Sequence, residues 1–402
     1  MAFARTGALR REIERHLPER PFAIEFWDWS RVEPTTTGRP TFRVRSPRAV
    51  AHVLRAPGQL GLGRAYVTGE LELDDLDAVL ELLDTWEPPA IAPSARLRLV
   101  PAAVRACGLI APPRAPAAEL RPRGRRHSLE RDRRAVRHHY DVSNDYFALF
   151  LDHSMTYSCG LFSRGAGSLE EAQEQKLELV CQKLGLEAGQ RVLDVGCGWG
   201  SFAIHAAARH GVQVVGITLS ENQAALARRR VADAGLADRI EIRVADYREP
   251  VGEGYDAVAS IGMVEHVGDA RIDEYAARLA GLLRPGGRLL NHGIARLRHG
   301  DPEAGEFSER FVFPDAAPLH LSRVLAALER AGLEVDHVEG LRQDYIETLR
   351  YWARRFDERL DEAAALGGAE RARVWRLYLR AARHGFETGF TSIYQVRCRR
   401  PG

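Results

Sequence analysis

The sequence contains almost no lysine. Lys176 and Lys183 are the only two, so 55 of the 57 basic residues are arginine. Such a bias fits either the composition of the source or a functional demand for arginine, and the total alone does not separate the two. Arginine also fills ordinary helix surfaces such as Arg228-Arg229-Arg230, which favours a largely compositional origin.

Long apolar runs, a secretory leader and paired cysteines are missing as well. No apolar run approaches the roughly 18 residues that a membrane-spanning helix needs. The stretch up to Leu17 alternates charged and apolar residues, which is unlike a signal peptide. The five cysteines are odd in number and share no metal-ligand spacing, which argues against a disulfide scaffold or a zinc motif. We therefore expect reduced thiols, no metal and a cytoplasmic protein.

Length and composition describe a globular chain with more than one domain. Its 402 residues predict two to three domains of about 150 residues each. With 45% hydrophobic and 28% charged residues, the chain is neither disordered nor collagen-like. Residues 1–95 mix short strand-like and helical stretches, which predicts a small α+β domain without a catalytic motif. Residues 140–402 form the predicted catalytic domain.

Residues 96–139 stand apart as a basic linker rich in proline. They hold twelve arginines against three acidic residues, so the linker carries about +9 in a chain whose net charge is +2. The rest of the chain is therefore acidic, and this segregation is the first indication of function. Because arginine suits phosphate, we expect the linker to bind an anionic membrane surface, at about 1 kcal/mol per basic residue. The protein would then associate peripherally with the inner face of the membrane.

From about residue 165 the pattern alternates strands with helices. Ser168 and Glu171 form a capping box that opens the first helix. Five apolar strand candidates follow, separated by helical segments. This alternation predicts an α/β fold, a doubly wound parallel sheet with helices on both faces. The candidates are residues 192–195, 213–217, 241–244, 257–261 and 288–292.

The strongest local signal is a glycine turn at the end of the first of these strands. Asp194 lies inside the strand, and Gly196, Gly198 and Gly200 follow before a helix that starts near Ser201. Glycine lets backbone amides approach a ligand at a helix N-terminus, where a negative group is favoured. Because the acid precedes the turn, the motif resembles that of class I S-adenosylmethionine methyltransferases, which have a Rossmann-like sheet, rather than the dinucleotide fingerprint.

The ends of the next strands carry polar side chains to the same edge of the predicted sheet. Thr218 and Gln223 follow the second strand, where these methyltransferases usually place an acid for the ribose hydroxyls. Asp246 and Tyr247 follow the third and suit the adenine amino group and ring face, and Glu265-His266 follow the fourth. Ligands of such sheets bind beyond the carboxyl ends of the strands, so these residues predict an S-adenosylmethionine site.

Further motifs make the resemblance more specific. They closely resemble the cyclopropane-fatty-acyl-phospholipid synthase family, which includes the mycolic acid cyclopropane synthases. Members of that family transfer the methyl group of S-adenosylmethionine to the cis double bond of an acyl chain in a lipid. They then remove a proton to close a cyclopropane. The motifs are HYDVSND at 139–145, YSC at 157–159, LDVGCGWG at 193–200, TLSENQ at 218–223 and SIGMVEHVG at 260–268.

The resemblance also implies roles for individual residues. In the family a bound bicarbonate ion is the base, and here its cradle would be Cys159, Glu265, His292, Ile294 through its backbone, and Tyr345. The methyl donor would contact Tyr157, Ser158, Gly196, Thr218, Gln223 and Tyr247. The N-terminal domain would help to engage lipid and to form a homodimer.

The reaction of the family makes its own demands on the site. An alkene that attacks an electrophilic methyl group becomes a carbocation, so the site must be dry and lined by aromatic faces that tolerate positive charge. The candidates for this lining are Tyr345, Phe147, Phe162, Phe311 and Phe313.

Two departures from the family pattern leave the product open. Gly160-Leu161-Phe162 follows the YSC motif where an alanine and an aromatic residue are usual, and Ala316-Ala317 end a stretch that usually holds a glycine. Both changes are expected at the acyl pocket or the lid above it. The product is therefore a cyclopropane or, as in actinobacterial relatives, a methylene- or methyl-branched chain.

Other functions remain open at this point. The chain could methylate a small soluble acceptor if the lipid motifs were repurposed. An arginine-rich linker can also bind nucleic acid nonspecifically, but the acidic remainder and the intact cofactor motif argue against a nucleic-acid partner. His138-His139 would suit a metal, yet no third ligand stands at a suitable spacing.

Overall fold

The structure is a computed structural model in which the chain forms two compact units. The first comprises residues 1–120 and 367–381, and the second residues 121–366 and 382–402. The structure describes residues 6–38, 40–90, 92–108, 113–120, 131, 143–299, 305–314 and 316–402. Three of the predicted features lie outside the described residues: most of the arginine-rich part of the linker, His138-His139, and the start of the HYDVSND motif.

The first unit is built on a small mixed sheet with helices around it. Its strands run in the order β2-β1-β3-β4, with β1 and β3 parallel. This agrees with the α+β domain that the sequence predicts. The elements are α1 (Gly7–His16), β1 (Ala23–Glu25), β2 (Arg31–Val32), β3 (Thr41–Val44), α2 (Pro47–Arg55), α3 (Gln59–Val67), β4 (Leu71–Leu73), α4 (Leu76–Thr85) and α5 (Pro93–Cys107).

Helix α5 carries this unit into the segment assigned to the linker. Pro93 opens the helix, where its missing N–H is tolerated. Ala103 and Ala106 are buried in the core of the unit, and Arg64 forms a bidentate ion pair with Glu119 at 2.6 and 2.7 Å. In the structure the N-terminal unit therefore extends to about residue 120 rather than ending at 95. The reason is that the alanine face of α5 packs into the core of this unit, in spite of the arginines and Pro101 in the same helix.

The second unit is built on a seven-stranded sheet in the order β10-β11-β9-β8-β5-β6-β7. Strands β5 to β9 are parallel, and β10 and β11 add antiparallel pairs at one edge. Its first elements are α6 (Asn144–Ala148), α7 (Leu169–Leu184), β5 (Arg191–Val195), α8 (Ser201–His210), β6 (Gln213–Thr218), α9 (Glu221–Asp233), β7 (Ile240–Val244), β8 (Tyr255–Ile261) and a 3₁₀ helix (Val264–His266).

The second half of the chain completes this unit. Its elements are α10 (Ile272–Leu282), β9 (Leu283–Arg296), α11 (Glu306–Phe311), α12 (Leu321–Arg330), β10 (Glu334–Gly340), α13 (Arg342–Glu358), α14 (Leu360–Gly367), α15 (Ala369–Glu387) and β11 (Thr391–Arg399). Helix α15 begins within residues that belong to the first unit and ends within the second.

The five predicted strands all appear, and they pack as expected for a sheet covered on both faces. In β5, Leu193 and Val195 belong to one buried cluster and Val192 to the other, since successive side chains point to opposite faces. The predicted α/β fold class is confirmed. Because β5 lies between β8 and β6, its carboxyl end is where a ligand crevice forms in such sheets.

No helix among the residues that the structure describes is both long enough and apolar enough to cross a bilayer.

Candidate active site

A cavity lies at the carboxyl ends of β5, β6 and β8. Its walls are the turn after β5, the ends of the neighbouring strands, the loop before α7, and Lys176 on α7. The five residues predicted to hold the base are all described, and they lie outside this lining. All nine residues predicted to hold the cofactor line the cavity: Tyr157, Ser158, Asp194, Gly196, Gly198, Thr218, Gln223, Asp246 and Tyr247.

The turn after β5 requires glycine for two separate reasons. Gly196, Gly198 and Gly200 have φ angles of 80°, 53° and 83°, a left-handed conformation that costs other residues about 1–2 kcal/mol. A Cβ atom on Gly196 would also lie 2.6 Å from Cγ of Met263, which itself lines the cavity. The turn leads into α8, so the N-terminus of that helix at Ser201 borders the cavity.

Thr218 and Gln223 form one hydrogen-bonded pair at the end of β6. The Thr218 hydroxyl donates to Oε1 of Gln223 at 2.8 Å, and Ser220 caps α9 by accepting from the Gln223 N–H at 3.2 Å. Both side chains are buried. Since this contact engages the amide oxygen of Gln223, its NH₂ group is oriented to donate to a ligand.

Asp246 has a partner that the sequence analysis did not identify. Its carboxylate accepts two hydrogen bonds from the Arg248 guanidinium, at 2.7 and 2.8 Å. The same guanidinium lies 5.2 Å from the ring centre of Tyr247, and all three residues line the cavity. The Asp-Tyr-Arg sequence therefore presents an ion pair and an aromatic face together, rather than a carboxylate alone.

Asp194 places a buried carboxylate at the cavity. Its Oδ2 atom has no hydrogen-bond partner among the described residues. Burial raises the pKa of Asp194 to about 7, and the nearby Lys176 ammonium opposes this shift only in part. Because an unpaired buried polar atom is costly, this oxygen suits a ligand that brings a donor or a positive charge.

Both lysines of the chain are buried in this unit. Lys176 Nζ donates to Ser158 Oγ at 2.9 Å, and burial lowers the pKa of Lys176 to about 8. Lys183 Nζ donates to Oε1 of Gln395 at 2.6 Å and pairs with Glu339. The scarcity of lysine was the signal that could have identified these positions. The pKa of a lysine ammonium falls readily on burial, whereas an arginine guanidinium stays charged.

The loop that carries the YSC motif is held from two sides. From α7, Gln173 donates to the Ser158 carbonyl at 2.8 Å. From α13, Asp344 accepts the N–H groups of Phe162 and Ser163, each at 2.7 Å. These contacts position Tyr157 and Ser158 at the cavity, and the sequence analysis assigned no role to Gln173 or Asp344.

The glycine that follows the YSC motif has a packing explanation. A Cβ atom on Gly160 would lie 3.0 Å from Cβ of Ala172 and 3.4 Å from Oγ1 of Thr348. Gly160 therefore sits between α7 and α13 and does not line the cofactor cavity, and its place at the acyl pocket or the lid stays a prediction.

His292 is fully buried in β9, and its protonation is set by a chain of contacts. Because the Lys183 ammonium occupies Oε1 of Gln395, the Gln395 amide nitrogen donates to Nδ1 of His292, at 3.0 Å. The imidazole proton is therefore on Nε2, which has no partner among the described residues. Burial lowers the pKa of His292 well below its usual value, so the ring is a neutral donor at Nε2.

Replacing Gln395 by glutamate is expected to invert the tautomer of His292. With Lys183 on one oxygen, the second carboxylate oxygen would require a proton on Nδ1. Nitrogen NMR of histidine-labelled protein should show the proton on Nε2 in the wild type and on Nδ1 in Gln395→Glu. Gln343→Glu, at an exposed position on α13, is the control. An unchanged His292 signal in Gln395→Glu would refute the assigned contact.

Glu265 lies in the 3₁₀ helix after β8 and faces β9. Its carboxylate accepts the backbone N–H of Ile294, and burial raises the pKa of Glu265 to about 7. A Cβ atom on Gly293 would lie 3.0 Å from Oε2 of Glu265, so glycine is what lets the carboxylate approach the strand. Within the described residues Oε2 has no hydrogen-bond partner.

Cys159 and Tyr345 meet at the start of α13. The Cys159 thiol lies 3.7 Å from the Leu341 carbonyl, which also accepts the Tyr345 N–H at 3.1 Å. Burial raises the pKa of Cys159 well above its usual value, so the thiol is protonated and is no nucleophile. The structure thus links Cys159 with Tyr345 through the shared Leu341 carbonyl, and Glu265 with Ile294 through a direct hydrogen bond.

The aromatic side chains are only partly where the sequence analysis expected them. Phe147 packs on Tyr157 with ring centres 5.4 Å apart, and Tyr157 and Tyr345 both pack on Trp352, at 5.2 and 6.0 Å. Phe162 instead stacks on Tyr351 and Phe311 on Phe307, while Phe313 packs on His266. Of the predicted candidates, Phe147 and Tyr345 therefore belong to one cluster with Tyr157, and Trp352 is an addition.

Comparisons with known proteins are consistent with this geometry. The chain is 42% identical over 364 residues to the probable fatty acid methyltransferase Rv3720 of Mycobacterium tuberculosis, covering 88% of this chain and 85% of that protein. It is 34% identical over 414 residues to the tuberculostearic acid methyltransferase UfaA1 of the same organism, covering 100% and 93%.

A solved structure and a family model agree with these relatives. The mycolic acid cyclopropane synthase CmaA1, complexed with S-adenosylhomocysteine (SAH) and CTAB, superposes with a TM-score of 0.63 at 33% identity, covering 66% of this chain and 98% of that one. The model for mycolic acid cyclopropane synthetase matches residues 127–396. The chain therefore belongs to the mycolic acid cyclopropane synthetase family and is an S-adenosylmethionine-dependent methyltransferase.

Proposed function

We propose that this enzyme methylates the cis double bond of an unsaturated acyl chain in a membrane phospholipid. The observation that carries the proposal is a pair of buried atoms without partners in the described part of the chain, the Nε2–H donor of His292 and the Oε2 acceptor of Glu265. His292 pairs with Ile261 at the end of β8, a Cβ atom on Gly262 would lie 4.0 Å from Oε1 of Glu265, and Ile261 and Gly262 line the cofactor cavity. A donor and an acceptor in this position are suited to hold a small ion that accepts a proton from the methylated chain.

The cavity fits the methyl donor on features of this structure. The unpartnered oxygen of Asp194 suits the cationic amino group, and the turn at Gly196 is too close to Met263 to admit a side chain. Thr218 and Gln223 would hold the ribose hydroxyls, and Tyr247 would contact the adenine ring. Bound S-adenosylmethionine would supply an electrophilic methyl group.

The aromatic cluster would stabilise the positive charge that develops on the acyl chain. Tyr157 lines the cavity and connects through Trp352 to Tyr345. Aromatic faces stabilise a cation by about 0.5–2 kcal/mol each when water is excluded. Trp352 is only 1% exposed, so this side of the site is dry.

The unpartnered atoms also fit bicarbonate, the base that the family resemblance implies. His292 would donate to one of its oxygens, and Glu265 would accept from its hydroxyl. Ile294, Cys159 and Tyr345 would complete the cradle. Bicarbonate would supply the base for the proton that the methylated chain loses, and SAH would be the second product.

The comparisons bear on which product is formed. The sequence analysis placed a cyclopropane first. However, Rv3720 and UfaA1 match 88% and 100% of this chain and are named as methyltransferases, whereas CmaA1 matches only 66%. We therefore place the methylene- or methyl-branched product first and keep the cyclopropane as the second candidate.

The arginine-rich segment is proposed to bring the enzyme to its substrate. Residues 96–139 carry about +9, which suits the phosphate groups of an anionic bilayer. Binding through such contacts weakens as salt is raised. Activity on anionic vesicles should therefore fall with salt more steeply than activity on zwitterionic vesicles.

The decisive experiment is mass spectrometry of lipid products made with a trideuterated methyl donor. Vesicles of monounsaturated phospholipid should gain one methyl-derived carbon, and fully saturated vesicles are the control. Two retained deuterons indicate a ring, a methylene branch or the methyl branch formed when an added reductant saturates that methylene, and proton NMR separates the three. Three retained deuterons indicate that the proton left a chain carbon, which gives a methyl-branched alkene, or that an added reductant supplied a hydride to the cation. No labelled lipid, or labelling of soluble acceptors only, would overturn the proposal.

A further inference from the structure

A second set of chemically reactive side chains lies away from the cavity, between α7 and α8. Glu178 and Cys181 come from α7, and His205 and His210 come from α8. Oε2 of Glu178 is 3.1 Å from Nε2 of both His205 and His210. The ligand atoms of Cys181, His205 and His210 all lie within 4.8 Å of one another.

We propose that these four residues form a structural Zn²⁺ site. Thiolate, imidazole and carboxylate are the ligands that zinc prefers, in a tetrahedral arrangement. Ligand atoms about 2.1 Å from a tetrahedral metal are about 3.4 Å apart, which is close to the two Glu178–histidine distances. Cys181 Sγ lies within 4.8 Å of the ligand atoms of both histidines and would move toward the metal to supply the fourth corner.

The environment of the cluster suits a bound metal ion. Cys181 is fully buried and the His205 side chain is 10% exposed, but the Glu178 side chain is 36% exposed. A surface cleft lined by three glutamates, two arginines and His205 opens at this side. The metal therefore has a route through a polar cleft to a site whose sulfur ligand is protected from solvent.

Metal binding would exchange protons in a simple way. The Cys181 thiol would release its proton to solvent and bind as thiolate. Each imidazole would bind through Nε2 and carry its proton on Nδ1, and Glu178 would exchange its two hydrogen bonds for one metal bond. No oxidant or reductant is required.

The position in the fold defines the role of the site. Four protein ligands leave no open position for a substrate, which is typical of structural rather than catalytic zinc. Helix α7 carries Lys176, and α8 begins at the glycine turn. Zinc would therefore tie together the two helices that frame the cofactor cavity, with Glu178 directly after the lining residue Leu177 and His205 three residues after the lining residue Phe202.

The competing explanation is an ordinary hydrogen-bonded cluster. In that case Glu178 simply accepts from two neutral imidazoles, and Cys181 is a small buried side chain. The spacing along the chain does not distinguish the two, because the ligands come from two helices and His205 and His210 are five residues apart. Direct metal binding does distinguish them.

Cobalt titration of metal-free, full-length protein is the test. Co²⁺ should bind at a single equivalent with intense visible bands of tetrahedral coordination and a near-ultraviolet thiolate-to-cobalt charge-transfer band. Added Zn²⁺ should displace these bands and raise the melting temperature. Protein purified without chelator should hold close to one zinc per chain by elemental analysis.

Variants assign the signal to the proposed ligands. Cys181→Ala should lose the charge-transfer band, and His210→Gln should lose the tetrahedral bands and the zinc-dependent rise in melting temperature. Cys398→Ala, at a buried cysteine in β11, is the matched control and should keep them all. If Cys181→Ala does not fold, His210→Gln still decides. Wild-type protein without these bands, or bands that persist in His210→Gln, would overturn the proposal.

Discussion

Replacing Gly196 by alanine is expected to weaken the binding of SAH by about a hundredfold. The added Cβ would lie 2.6 Å from Met263 Cγ, so either Met263 moves into the cavity or the turn moves away from its ligand. Overpacking of this kind costs about 1–3 kcal/mol, and about 2.8 kcal/mol corresponds to a hundredfold in affinity. Isothermal titration calorimetry would measure the change.

Gly189→Ala is the matched control for this experiment. Gly189 has φ of +84°, close to the +80° of Gly196, but a Cβ atom there would meet no atom within 4 Å. Both variants therefore carry the same left-handed strain and lose similar stability, while only Gly196→Ala should lose affinity. Equal loss of SAH binding in the two variants would show that strain, rather than contact with Met263, is responsible.

Replacing Glu265 by glutamine is expected to lower turnover by about 10²- to 10³-fold, the range in which groups that handle a proton usually contribute. The change keeps the shape of the side chain, but with the amide oxygen on the Ile294 N–H it places an NH₂ donor where Oε2 would accept from the base. Because Glu265 does not line the cofactor cavity, SAH affinity should stay within about twofold of wild type. A large loss of SAH affinity, or full turnover, would contradict the assignment.

Glu265→Gln is expected to stabilise the fold although it lowers turnover, and the gain in stability depends on pH. Burial raises the pKa of Glu265 to about 7, above the ordinary value of about 4.3 that applies in the unfolded chain. The contribution of the Glu265 carboxyl to stability is therefore fully present below about pH 4 and is lost as pH rises toward 7. Glu265→Gln does not titrate, so its advantage should grow over this range, to about 4 kcal/mol, and then level off.

Chemical denaturation at several pH values would measure this advantage. Glu187→Gln, at an exposed position, is the control and should follow the wild type throughout. An advantage for Glu265→Gln that is constant with pH would show that the carboxyl of Glu265 is not the group that titrates.

Much of the second unit was predictable because its signals are local. An apolar strand, an acid and a glycine turn are specified within nine residues, from Val192 to Gly200. Parallel strands deliver their carboxyl ends to one edge, so Thr218, Asp246 and Tyr247 could be assigned to the same cavity without knowledge of their distances. The resemblance to the family then assigned roles to residues that local patterns do not reach.

The antiparallel edge of the sheet was not predictable in the same way. Strand β9 runs from Leu283 to Arg296, well beyond the predicted 288–292, because β11 (Thr391–Arg399) pairs with it from Arg288 to Arg296 and β8 pairs with it at Leu283. That pairing joins segments about a hundred residues apart, and it also brings Gln395 beside His292. Sequence periodicity carries no information on such a partner.

The sequence by itself determined the fold class, the family and the cavity-lining residues, because each depends on a contiguous motif or on strand order. Only the tertiary structure decided the burial, the hydrogen-bond partners and the protonation of those residues. It buried both lysines, paired Asp246 with Arg248 and, within the part of the chain that the structure describes, left Asp194, Glu265 and His292 each with an atom that has no hydrogen-bond partner. It also brought together Glu178, Cys181, His205 and His210 from two helices. Burial and contact between distant segments set protonation and pairing, and neither is written in the local order of residues.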